Sequence, residues 1–141
     1  MKPCKTCGVM LNKLRDEIHQ NAVEHGWWDE PRTFGEIIAL CHSELSEALE
    51  EYRRGSEPRA IYFRCAYKSE YGCPFTVCSP EKCSHYSAAF SKPEGVPIEL
   101  ADCVIRILDY CGREGIDIEE AVRLKMEYNR TRSYRHGGKR L

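Results

Sequence analysis

The chain has 141 residues, 42% hydrophobic and 30% charged, with a formal net charge of -1. That length suits one domain burying roughly two-thirds of the surface the unfolded chain exposes; no apolar run approaches the roughly 20 residues of a membrane-spanning helix, and a near-neutral balance gives no general attraction to polyanions. The N-terminal MKPCKTCG lacks the apolar stretch of a secretory signal, so the expected location is the cytoplasm, with the nine cysteines in a reducing compartment.

Residues 10–25 carry Leu11, Leu14, Ile18 and Ala22 at helical spacing, with Gly26 as a stop. Thr33-Phe34-Gly35-Glu36 has the pattern of a capping box. A second helix is therefore expected to start there, run with Ile37, Ile38, Cys41, Leu45, Ala48 and Leu49 as its apolar stripe to about Arg54, and end at Gly55. Residues 57–93 lose this periodicity and gain four cysteines among Pro, Gly, Ser and aromatic residues, the composition of an insertion. Regular spacing resumes at Pro97 with Leu100, Val104, Ile107, Leu108 and Cys111 and stops over residues 112–115. Asp117 then reads as the N-cap of a fourth helix, followed by Glu119 and Glu120 and leading to a basic tail. The expectation is an all-α single domain over residues 1–141, an antiparallel four-helix bundle with a Cys-rich insertion between helices two and three.

Charge is segregated along this frame. Residues 36–51 hold five carboxylates and no lysine or arginine, whereas residues 123–141 hold seven lysines or arginines and one acid, Glu127. Such runs are usually solvated helix faces. Here, however, Glu44 and Glu47 are three apart on the second helix, and Glu99 and Asp102 three apart on the third, so each pair leaves one side of its helix. Two such faces brought together would repel unless a cation neutralised them, and oxygen-only ligands select Mg²⁺ or Mn²⁺. The flanking Leu45, Ala48, Leu100 and Val104 place the acids beside the stripe expected to be buried. A di-iron bundle would need Glu-x-x-His pairs; neither acidic pair has one, and Asp16-x-x-His19 stands alone.

The runs GEIIALCHSELSEALEEYRRG, KPEGVPIELADCVIRILDYCGREGID and KMEYNRTRSYRHGGKR resemble the MazG-like family of all-α nucleoside triphosphate pyrophosphohydrolases. The similarity covers most of the chain outside the N-terminal cysteines and the insertion. The family motif, Glu-x-x-Glu on one helix and Glu-x-x-Asp on the next, is matched by Glu44, Glu47, Glu99 and Asp102. Many members carry a double Glu at the start of the first motif; Ser43 precedes Glu44 here, which puts the chain nearer the compact, deoxynucleotide-directed branch. The resemblance implies Mg²⁺-dependent attack of water on the α-phosphorus, releasing pyrophosphate, with the metal polarising the phosphoryl oxygens and one carboxylate taking the proton. It also implies a homodimer or a homotetramer. Lys125, Asn129 and Arg132 fall on one side of the fourth helix with Lys139 beyond, and the resemblance makes them triphosphate contacts; as plain sequence they are a solvated basic end. Asn21, Trp27 and Trp28, in HQNAVEHGWWD, resemble the base-side wall of the family pocket, where Trp28 would stack on the base and Asn21 read its edge. His19 and His25 read as ordinary partly buried helix residues.

Cys41, Cys103 and Cys111 fall on apolar stripes as small hydrophobes. Cys4-x-x-Cys7 has half-site spacing for zinc, and the simplest completion takes two of Cys73, Cys78 and Cys83; Cys65 and His85 are further donors in the same stretch. A separate metal in the insertion, an iron–sulfur cluster, disulfides and free thiols stay open. The rival functional reading is a zinc-stabilised module that binds nucleic acid through the basic C-terminal tail. It ranks below the enzyme, because the acidic stretch would oppose a polyanion.

Overall fold

The computed structural model describes residues 10–65 and 91–134. Helix α1 is Met10–Glu24, α2 Phe34–Arg53, α3 Val96–Arg113 and α4 Ile118–Thr131, and strands β1 (Tyr62–Cys65) and β2 (Ser91–Glu94) stand between α2 and α3. Among the described residues the class is mostly helical, with one two-stranded sheet. No helix is long and apolar enough to cross a membrane among the described residues.

Local chemistry sets the ends of these helices. At α2 the Thr33 hydroxyl accepts from the Glu36 backbone N–H at 3.3 Å, and the Glu36 carboxylate accepts from the Thr33 N–H at 2.6 Å, which closes the capping box. At α4 the Asp117 carboxylate accepts from the Glu120 N–H at 2.9 Å. Gly26, Gly55 and Gly115 follow the first three helices with positive φ.

The chain divides into two compact units, Met1–Arg32 with Ile107–Leu141, and Thr33–Arg106. In the first, α1 is tied to the start of α4: the Asn12 side chain donates to Asp117 at 2.9 Å, its backbone N–H donates to Glu119 at 3.1 Å, and Arg15 donates to the Ile116 carbonyl at 2.6 Å. A Cβ on Gly112 would lie 2.5 Å from the Cβ of His19, so the missing side chain lets α1 approach the end of α3. In the second unit, β1 and β2 pair antiparallel in the register Tyr62 with Glu94 and Phe63 with Pro93, forming a short two-stranded stem. The stem is lashed to the end of α2 by the buried Glu51, which accepts from the Tyr62 hydroxyl at 2.8 Å and the Ser56 hydroxyl at 3.1 Å. Arg64 and Lys92 pair with the buried Glu94 at 2.6 and 3.5 Å.

Burial on α2 departs from the stripe expected from sequence. Ile37, Cys41 and Ala48 are buried together with Glu44 and Glu51, whereas Ile38, Leu45 and Leu49 are exposed. On α3 Leu100 and Val104 are also exposed while Glu99 is buried. Of the apolar neighbours expected to be buried beside the acids, Ala48 is buried and Leu45, Leu100 and Val104 are exposed. A helix with two apolar arcs cannot bury both in so small a unit, and the arc shared with the carboxylates is the one turned inward.

Candidate metal centre

Glu44 comes from the middle of α2, and Glu99 and Asp102 from the first turns of α3. The start of α3 is set by Gly95, which is buried, has φ 115° and offers its carbonyl to the N–H groups of Ile98 and Glu99 at 2.9 and 3.2 Å. One carboxylate oxygen from each of Glu44, Glu99 and Asp102 lies within 4.8 Å of the others. Two ligands of one hard divalent cation are at most about 4.2 Å apart for Mg²⁺ and about 5 Å for Ca²⁺, so the trio would have to draw in slightly to share one Mg²⁺.

The electrostatics of the trio fit a cation. Glu44 and Glu99 are each only 6% exposed. Burial, then the neighbouring Glu47 and Asp102 carboxylates, push the Glu99 carboxyl above its ordinary range, and burial followed by Glu44 does the same to Asp102. Lys92 opposes both shifts, and Arg106 opposes that of Asp102. Like charges are therefore held together at a cost that a divalent cation would remove, and an all-oxygen donor set suits Mg²⁺ or Mn²⁺.

Of the four carboxylates singled out from sequence, Glu47 stands outside this trio; it is exposed and acts on Glu99 as a neighbouring charge. Cys41 sits one turn before Glu44 and is buried, and burial, followed by the neighbouring Cys103, pushes its thiol up, so it serves as packing. Arg106 was not anticipated. Its Nε donates to Glu44 at 2.5 Å, and its place four residues after Asp102 is the signal in the sequence that would have found it.

The residues proposed for substrate contact fall in the other unit. Lys125, Asn129 and Arg132 lie on or just beyond α4 and are exposed; the Lys125 ammonium stands 5.0 Å from the Tyr128 ring centre, and the Asn129 carbonyl accepts the capping N–H of Arg132. Asn21 is exposed, and its backbone carbonyl accepts from the His25 N–H and bonds the His25 ring at Nδ1. The Trp28 indole N–H is not open to a ligand: it donates to both oxygens of the buried Asp109 at 2.9 and 3.2 Å. His19 meets the same carboxylate at 2.7 Å, and Arg113 lies over the Trp28 ring at 5.1 Å. A buried acid that needs donors explains why both rings turn to it, and sequence spacing does not reveal this. Trp27 carries the Arg32 guanidinium 4.0 Å from its ring centre. Lys139, His85 and the zinc candidates Cys4, Cys7, Cys73, Cys78 and Cys83 lie outside the described residues, and Cys65 is described only in its backbone. Compared with known proteins, the chain matches no family model, no curated protein and no solved structure.

Proposed function

We propose that the protein is a Mg²⁺- or Mn²⁺-dependent hydrolase that converts deoxynucleoside or ribonucleoside triphosphates to the monophosphate and pyrophosphate, in the service of nucleotide pool sanitation. The observation that carries this reading is the convergence of Glu44, Glu99 and Asp102 from two helices, one carboxylate oxygen of each lying within 4.8 Å of the others. The resemblance of the same helices to the MazG-like pattern gives the reaction class. In that reading Glu44, Glu99 and Asp102 hold the ion, and Glu47, exposed and a neighbouring charge to Glu99, is assigned to orient water or take a proton. The ion, once bound, neutralises the cluster and polarises phosphate oxygens. Lys125, Asn129, Arg132 and Lys139 are assigned to the phosphates and Asn21 to the base, and Trp28 contributes a ring face rather than its N–H. The working form is a homodimer or homotetramer, and four of the five cysteines Cys4, Cys7, Cys73, Cys78 and Cys83 hold a structural zinc.

The test is a panel of ribo- and deoxynucleoside triphosphates with Mg²⁺, with pyrophosphate resolved from phosphate. Wild type is expected to yield monophosphate and pyrophosphate in equal amounts, and Glu99→Gln and Asp102→Asn are each expected to lower the rate by on the order of 100-fold. A folded, metal-replete protein that turns over none of them would overturn the reading, and a salt-sensitive shift of DNA or RNA would then replace it with the nucleic-acid module.

A further inference from the structure

Arg106 is the one described residue whose positive charge is hydrogen-bonded to a member of the acidic trio. Its Nε donates to Glu44 at 2.5 Å, and the two side chains are 27% and 8% exposed, so Glu44 is enclosed while Arg106 is partly exposed. From α3 it lies one turn beyond Asp102, on the same side of the helix. It thus supplies, from within the chain, part of the counter-charge that the crowded carboxylates require.

A guanidinium and a divalent cation compete for Glu44, and each repels the other across that carboxylate. A ligating carboxylate is steered by hydrogen-bond donors; a neutral donor such as a backbone N–H, a hydroxyl or water does not repel the ion, and a full positive charge does. Of the two, Arg106 has the longer side chain and the more exposed one, whereas Glu44 is enclosed. A planar fork of donors displaced from a carboxylate finds its best alternative in phosphate oxygens, which it can grip in bidentate fashion. We propose that Arg106 is an exchangeable counter-ion: it occupies Glu44 in the metal-free protein and passes to the phosphate of the incoming ligand when a divalent cation takes Glu44. This rests on the metal-dependent reading given above and adds a prediction of its own, that cation and phosphate binding are coupled through one side chain.

Calorimetric titration with Mn²⁺ alone, followed by titration of the Mn²⁺-loaded protein with a non-hydrolysable α,β-imido deoxynucleoside triphosphate, tests this without turnover. Arg106→Gln is expected to bind Mn²⁺ about tenfold more tightly than wild type and the analogue about tenfold more weakly. Arg106→Lys keeps the charge and loses the fork, so its Mn²⁺ affinity should stay within about twofold of wild type while the analogue weakens; it decides the matter if the glutamine variant fails to fold by circular dichroism. Weaker Mn²⁺ binding by Arg106→Gln would show that the arginine orients Glu44 instead, and unchanged analogue affinity in both variants would show that it never reaches phosphate; either result overturns the proposal and leaves the metal site standing. Absence of Mn²⁺ binding by wild type overturns the metal site and the proposal with it.

Discussion

Glu51 shows how much of this protein rests on single buried acids. It is 6% exposed, and the Tyr62 hydroxyl, with smaller help from Ser56, Arg54 and Arg64, holds its carboxyl below the ordinary range against the opposing effect of burial. A carboxylate whose native pKa is depressed adds stability that is complete above its unfolded pKa and is lost as pH falls through the native value. Tyr62→Phe removes the leading cause, so it is expected to cost about 1–2 kcal/mol at pH 7 in urea unfolding, and the gap from wild type is expected to close as the pH is lowered below the ordinary carboxylate range. A gap that stayed constant with pH would assign the loss to packing. At this scale sequence showed little: neither Tyr62, eleven residues from Glu51, nor Asp109, ninety from His19, forms a recognisable motif with its partner. Such pairs arise only where folding crosses elements, and the requirement that a buried carboxylate find donors is what selects them.

Among the elements, the helix ends were legible and the inward faces were not. Caps are local, because Thr33 and Glu36 or Asp117 and Glu120 satisfy one another within a single turn. Thr33→Ala is accordingly expected to cost about 1 kcal/mol in thermal or urea unfolding. Gly95 is the more demanding position. Its φ of 115° is closed to most side chains, and a Cβ there would stand 2.5 Å from the Ala60 carbonyl oxygen. Gly95→Ala should therefore cost at least about 2 kcal/mol and should also weaken Mn²⁺ binding, since Glu99 and Asp102 are carried on the turns that begin there; stability lost with Mn²⁺ affinity unchanged would separate that turn from the metal site. The hairpin was not foreseen as such. Its strands are four residues each, β1 inside residues 57–93 and β2 across their end, and short segments around Pro93 carry too few alternating residues to declare themselves.

Over the whole molecule, the notable quantity is apolar surface left outside. Phe34, Ile38, Leu45, Leu49 and Tyr52 are all exposed, Leu45 by 48% and Leu49 by 55%, and at 100° per residue they share an arc of about 60° along α2 beside the buried arc of Ile37, Cys41, Glu44 and Ala48. A continuous stripe of this length suits association, which supports the proposed homo-oligomer. Sedimentation is expected to find a dimer or tetramer, and Leu45→Glu with Leu49→Glu to yield monomer; an unchanged mass in the double variant would place any association elsewhere. Sequence by itself determined the helical class, the four helix positions and the two acidic pairs, because periodicity, capping and i, i+3 spacing are properties of neighbours along the chain. Only the tertiary structure decided that Glu44, Glu99 and Asp102 converge while Glu47 stays at the margin, that Arg106 answers Glu44, and that the acids rather than the leucines beside them turn inward. Those outcomes depend on which of two apolar arcs a helix buries, and a stripe read from one sequence weighs both arcs alike.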